Sequence, residues 1–212
     1  MNKTEVTKQI LAIGVIPVVR ATTAEEAMRA IDAILEGGIS VLEITMTVPN
    51  AFSLIEQVTG RFGSDALVGA GTVLDAETAK SCIASGAQFI VSPALNLDTI
   101  AYCREQNVVV MPGALTPTEV VQAWNAGADF VKVFPAGAVG GPAYLKSLKA
   151  PLPQIELVPT GGVSLKTAAD FIRAGAAALG VGTDLVDVKA ESSVITERAK
   201  QFVEIVRQAR QT

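Results

Sequence analysis

The 212-residue chain predicts an α/β fold, a single-domain (β/α)8 TIM barrel with an extra N-terminal helix, on three observations. Apolar, β-branched runs recur about every 23 residues, the length of a minimal strand–helix unit. Segments rich in good helix formers fill the intervals, and four of them end in glycine shortly before the next apolar run. Proline, glycine, serine and threonine gather at the opposite joints, after the strands, which is the end where barrels of this kind carry their active sites.

Taken in order, a leading helix over residues 2–11 covers the barrel floor, so that residues 1–12 form a cap. The first strand starts near Gly14 and ends at Arg20, and later strands start near Ile39, Ala66, Gln88, Val108, Asp129, Ile155 and Ala177. Helical periodicity is clear over 24–36, 76–84, 97–106 and 118–125. Gly37-Gly38, Gly86, Gly127 and Gly175 follow such helices, where glycine accepts the left-handed turn that stops a helix. The last helix, over 190–211, carries Ile195, Ala199, Phe202, Ile205 and Val206 on one stripe. No linker or low-complexity tract divides residues 1–212, so one domain is expected. A doubly wound open sheet is the alternative, because periodicity alone does not close a barrel.

Composition narrows the chemistry. With 50% hydrophobic residues the chain can bury a large core, and 17 Lys and Arg against 21 Asp and Glu give it no basic nucleic-acid surface. The absence of histidine excludes a Ser/His/Asp triad, the usual His-bearing catalytic zinc sites and His acid–base catalysis, and without an evident carboxylate cluster on the strand ends no metal is expected. Cys82 and Cys103 are too few for a disulfide framework, which points to a reduced cytoplasm. Lys3, Glu5 and Lys8 interrupt the first ten residues, unlike a signal peptide, and no apolar run of about 18 residues exists to span a bilayer.

Lys132 lies in Asp129-Phe130-Val131-Lys132-Val133-Phe134-Pro135, a strand of large apolar residues. Strand side chains alternate, so Phe130, Lys132 and Phe134 share the barrel interior while Val131 and Val133 face helices. Desolvation favours a neutral amine, the form that attacks a carbonyl. Glu43, in Val41-Leu42-Glu43-Ile44-Thr45, points inward by the same alternation and is the natural proton carrier in a chain without histidine. A buried Glu43–Lys132 ion pair with only a structural role is the competing reading.

Arg20 ends the first strand with a guanidinium suited to a carboxylate or phosphate, or simply exposed in a loop. Gly69-Ala70-Gly71-Thr72 brings backbone and the Thr72 hydroxyl close to a ligand or makes an ordinary turn. Val158-Pro159-Thr160-Gly161-Gly162-Val163 closes the seventh strand and Leu179-Gly180-Val181-Gly182-Thr183-Asp184 the eighth, the two joints at which barrels of this fold often bind phosphate.

Glu43-Ile44-Thr45, Gly69-Ala70-Gly71-Thr72-Val73, Val91-Ser92-Pro93, Lys132-Val133-Phe134-Pro135 and Pro159-Thr160-Gly161-Gly162-Val163, in this order over nearly the whole chain, resemble one family. It is the Schiff-base 2-keto-3-deoxy-6-phosphogluconate and 4-hydroxy-2-oxoglutarate aldolases, related to the 2-keto-3-deoxy-6-phosphogalactonate aldolases. The resemblance implies a cytoplasmic, homotrimeric lyase without cofactor, of the Entner–Doudoroff type. It would cleave a 2-keto-3-deoxy sugar acid phosphate to pyruvate and D-glyceraldehyde 3-phosphate, or hydroxyoxoglutarate to pyruvate and glyoxylate. On this resemblance Lys132 is the imine-forming lysine and Glu43 the proton-transferring glutamate. Thr72, Pro93, Phe134 and Thr160 belong to the substrate site, and Gly161, Gly162, Gly182 and Thr183 fall where the family binds phosphate. Arg20 resembles an arginine of the galactonate branch, while Thr47 stands where much of the gluconate branch has arginine.

Two rivals keep part of this reading. A phosphosugar isomerase or epimerase would use Glu43 to move a proton and leave Lys132 an electrostatic role. A non-catalytic assembly scaffold would use its outer helices, where Val120, Val121 and Trp124 suit either a core or an interface.

Overall fold

The computed structural model describes residues 1–211. In chain order the elements are α1 (Lys3–Ile13), β1 (Val15–Val19), α2 (Ala24–Glu36), β2 (Val41–Thr45), α3 (Ala51–Phe62), β3 (Leu67–Gly71), α4 (Ala76–Ala84) and β4 (Phe89–Val91). Then follow α5 (Leu97–Glu105), β5 (Val109–Met111), β6 (Gly113–Ala114), α6 (Pro117–Asn125), β7 (Val131–Val133), α7 (Pro142–Lys149), β8 (Leu157–Pro159), α8 (Ala168–Arg173), β9 (Leu179–Val181) and α9 (Ser192–Ala209). Each strand begins within two residues of its expected start. One expected strand is divided: Pro112, with no N–H to donate, separates β5 from β6, although its carbonyl still accepts from Lys132 N–H at 2.9 Å.

Helix starts follow from side-chain caps. Thr23, Asp75, Asn96 and Thr116 each accept the N–H three residues ahead, and Asn2–Glu5 and Thr116–Glu119 form reciprocal capping boxes. The stops follow from left-handed residues, with Gly38, Gly86, Gly127 and Gly175 at positive φ as the sequence predicts. Asn107 does the same work after α5, at φ 55°.

All strand pairings are parallel, in a curled sheet with two ladders, β5-β4-β3-β2-β1-β9 and β6-β7-β8. Single bridges Leu157↔Ala176 and Thr160↔Gly180 link the β8 and β9 regions. The two faces of the sheet carry separate apolar clusters. Leu42, Ile44, Val131 and Val133 join the helices in one. Ile16, Val41, Phe89, Val109 and Phe130 form the other with Val6 and Ile10 of α1, the leading helix. Here Phe89 fills the space above Gly69, where a Cβ would collide with its ring. The lower end is tied down further: Lys3 meets Asp129 at 2.9 Å, and the Arg210 guanidinium donates to the carbonyls of Ala12 and Ala177. Trp124 packs partly buried against the helix-side core and Val120 is buried.

Candidate active site

The alternation of β7 has the consequence expected of it. Phe130 lies in the α1-side cluster, Val131 and Val133 lie under the helices, and Lys132 is 2% exposed. Glu43, on β2, is likewise 2% exposed, and its Oε1 lies 3.9 Å from Lys132 Nζ. That separation is an ion pair without a direct hydrogen bond. Oε1 is buried and has no hydrogen-bond partner among the described residues. The Phe134 ring, just past the end of β7, has its centroid 5.4 Å from Nζ, where the π face attracts a cation.

Thr47, Thr72 and Pro93 follow the ends of β2, β3 and β4. Buried Thr45 donates to Val19 O at 3.1 Å and shares a 2.6 Å hydrogen bond with the exposed Thr47 hydroxyl, which fixes Thr47 at the rim. Thr72 has φ 59°, a conformation that a β-branched residue adopts only at a steric cost, and it directly follows Gly71. Pro93 is half-buried, and its carbonyl group fills the space where Gly113 would carry a Cβ.

The remaining expected residues converge. Arg20, Phe134, Thr160, Gly161, Gly162, Gly182 and Thr183 line one cleft of about 140 Å³, with Val18, Val163 and Asp184. Gly161 and Gly162 have φ 82° and 77°, and neither amide donates to a protein acceptor among the described residues. The cleft is thus lined by two residues with unpaired backbone amides and by an arginine, a combination that suits an anion. Thr47, Thr72 and Pro93 do not line it. A neighbouring cleft of about 310 Å³ shares Arg20, Gly182 and Thr183 and adds Lys189. Another cleft, of about 550 Å³, lies along α2 beside Glu25, Arg29 and Asp32, and neither Lys132 nor Glu43 lines it.

The KDPG and KHG aldolase family matches residues 6–201. The chain belongs to that family. It is 35% identical over 198 residues, 93% of this chain and 96% of the relative, to the 2-dehydro-3-deoxy-6-phosphogalactonate aldolase of Escherichia coli K12. To the 2-dehydro-3-deoxy-phosphogluconate aldolase of Treponema pallidum it is 38% identical over 160 residues, 76% of each chain. The crystal structure of KDPG aldolase from Legionella pneumophila, with pyruvate captured at low pH as a covalent carbinolamine intermediate, superposes with a TM-score of 0.81 at 29% identity, covering 98% of both chains.

Within this aldolase Val18, Val163, Asp184 and Lys189 also line the two clefts; Val163 and Asp184 stand in the motifs that close the seventh and eighth strands, whereas Val18 and Lys189 went unnoticed in the sequence. Val18 was accessible in principle, since it shares a strand face with Ile16 and Arg20; Lys189 sits in a loop without periodicity. Cys82 and Cys103 are free and buried, and burial pushes both thiols up to about 12. No three His, Cys, Asp or Glu side chains converge to hold a metal ion among the described residues. Among those residues no helix is long and apolar enough to cross a membrane.

Proposed function

We propose that this family member is a class I aldolase that forms a Schiff base at Lys132 and moves protons with Glu43. The observation that carries the proposal is the buried pair held at 3.9 Å, with one carboxylate oxygen unpartnered. A purely structural ion pair gains most by closing to hydrogen-bond distance, because a buried polar atom without a partner is costly. The open arrangement suits a site where reacting atoms supply the missing partner.

In the proposed cycle the free amine of Lys132 attacks C2 of a 2-keto-3-deoxy acid, and the C2 oxygen leaves as water with one proton drawn from solvent, giving a protonated imine; the final hydrolysis returns that proton. The C3–C4 bond then breaks and its electron pair flows into the imine, producing an enamine. Glu43 takes the proton of the C4 hydroxyl, so C4 departs as the aldehyde, and returns a proton to C3. Hydrolysis of the resulting imine releases pyruvate and regenerates the amine. Thr72, Pro93 and Phe134 surround the keto-acid end, while Thr160, Gly161, Gly162, Gly182, Thr183 and Arg20 receive the distal phosphate. The substrates are 2-keto-3-deoxy-6-phospho sugar acids, with release of D-glyceraldehyde 3-phosphate, or 4-hydroxy-2-oxoglutarate, with release of glyoxylate. Thr47 leaves the rim of β2 without a cation; Arg20 supplies one to the cleft, and Lys189 lines the cleft beside it.

The same proposal covers the frame: one domain over residues 1–212, residues 1–12 as a cap, and a closed (β/α)8 barrel working in the cytoplasm. The Pro112 carbonyl between β5 and β6, which accepts from Lys132 N–H, and the Leu157↔Ala176 and Thr160↔Gly180 bridges support closure. Exposed Phe52, Leu74 and Leu97, on the segments after β2, β3 and β4, support association into a trimer. Light scattering should read three chains of 22.0 kDa, and a monomer rejects that part.

Borohydride reduction with pyruvate tests the chemistry. A stable adduct on Lys132 is expected, and an unmodified lysine leaves an isomerase or a scaffold as the better reading. Comparing gluconate and galactonate epimers in a coupled pyruvate assay then assigns the substrate.

A further inference from the structure

Gly69 and Gly71 lie on the same face of β3, two residues apart, and each leaves room for one large side chain from a neighbouring strand. Above Gly69 the occupant is Phe89 of β4. Above Gly71 it is the Glu43 carboxylate: a Cβ built on Gly71 collides with Oε1 and lies 2.5 Å from Cδ and 2.6 Å from Cγ. The register places Thr45 of β2 opposite Gly71 and Glu43 opposite Gly69, so Glu43 leans along its strand, across the backbone of β3, toward the mouth. Gly71 has an ordinary negative φ, so no backbone conformation demands glycine there. What excludes a larger residue is the carboxylate.

We infer that Gly71 is a positioning residue for Glu43: its bare Cα is the seat on which the proton-transferring carboxylate lies in reach of Lys132. The inference rests on the Schiff-base reading above and adds a determinant of the proton step alone. Lys132 stands on the far ladder, paired with Gly113 and Val158, and its access to a carbonyl does not depend on Gly71. A methyl group at position 71 therefore pushes Glu43 off its seat and leaves imine formation intact.

The experiment separates two readouts on pyruvate: borohydride trapping, which needs only Lys132, and exchange of the C3 protons with deuterated water, which also needs the carboxylate. For Gly71→Ala, trapping at the wild-type level is expected with exchange slowed about 100-fold, the scale of a misplacement of about 1 Å. Gly69→Ala is the comparison, because its methyl strikes Phe89; it should lower the melting temperature and leave the ratio of exchange to trapping unchanged in the folded protein. Exchange retained in Gly71→Ala overturns the inference, as does an equal loss of both readouts in a folded protein. Failure of the wild-type enzyme to trap pyruvate overturns instead the Schiff-base reading beneath it.

Where Gly71→Ala yields no folded protein, the double variant with Glu43→Ala decides. Removing the carboxylate removes the obstacle, so the double variant should fold and melt close to Glu43→Ala alone, a coupling that only contacting residues show. A double variant no more stable than Gly71→Ala means that the methyl meets something other than Glu43, and the inference fails.

Discussion

Lys3 and Asp129 meet at 2.9 Å beside α1, and Asp129 also accepts the Val110 N–H at 2.9 Å. Three residues further along the same chain, Lys132 stops 3.9 Å from Glu43, whose Oε1 has no partner. The first pair is about one-fifth exposed and closed; the second is nearly fully buried and open. Stability alone would favour the reverse, because an unsatisfied charged atom costs more where water is excluded. The floor spends its contacts on holding α1 and α9 to the sheet. The mouth keeps an unclosed pair, a β-branched residue at φ 59° and two adjacent glycines at positive φ, all near the ends of the strands.

The largest effect that probes this contrast is chemical. Glu43→Gln is nearly isosteric and removes the proposed proton acceptor, so turnover in a coupled pyruvate assay should fall by about 10²–10⁴-fold. The borohydride adduct on Lys132 should persist. Loss of the adduct together with turnover would mean that the pair acts as a structural unit, and the distinction between mouth and floor would lose its basis.

A floor substitution should do the opposite. Phe89 is completely buried, packs over Gly69 and joins the cluster that receives Val6 and Ile10. Phe89→Ala should cost about 3–5 kcal/mol in denaturant unfolding, the usual price of a vacated aromatic site. Well below the melting temperature, kcat/KM should stay within a few-fold of wild type. A selective loss of kcat with unchanged stability would show that the floor cluster supports the site directly.

Much of this arrangement was legible because one strand at a time reveals its own alternation. Lys132 between Val131 and Val133, and Glu43 between Leu42 and Ile44, announce their inward direction without knowledge of their neighbours. What alternation cannot give is register. The seat of Glu43 over Gly71, and of Phe89 over Gly69, exists only once β2, β3 and β4 are aligned. Thr72 was recognised for its hydroxyl, but its left-handed backbone runs against the β preference of threonine and has no local signal. Asn107 escaped notice as a helix stop for the converse reason, since it replaces the glycine used at the other joints. The division of β5 from β6 at Pro112 follows from the missing donor, which single-strand periodicity does not register.

The smallest effect concerns the closed side of the molecule. Cys103, in α5, feels the charges of Lys3 and Asp129, yet burial dominates and pushes its thiol up to about 12; Cys82, in α4, is raised to about 12 by burial as well. A thiol that unfolded would titrate near 9.0 thus holds its proton in the folded chain. Unfolding above that pH releases protons, so stability from this source is fully present below about 9 and declines as pH rises toward 12. Cys82→Ala with Cys103→Ala should flatten this alkaline decline while leaving the pH profile of turnover in place. Iodoacetamide at pH 8 should label neither cysteine in the native protein and both in guanidinium, since the thiolate is the reactive form. Rapid native labelling of Cys103 would show that the layer around the Lys3–Asp129 pair opens readily, and the contrast between a closed floor and an open mouth would then be one of degree.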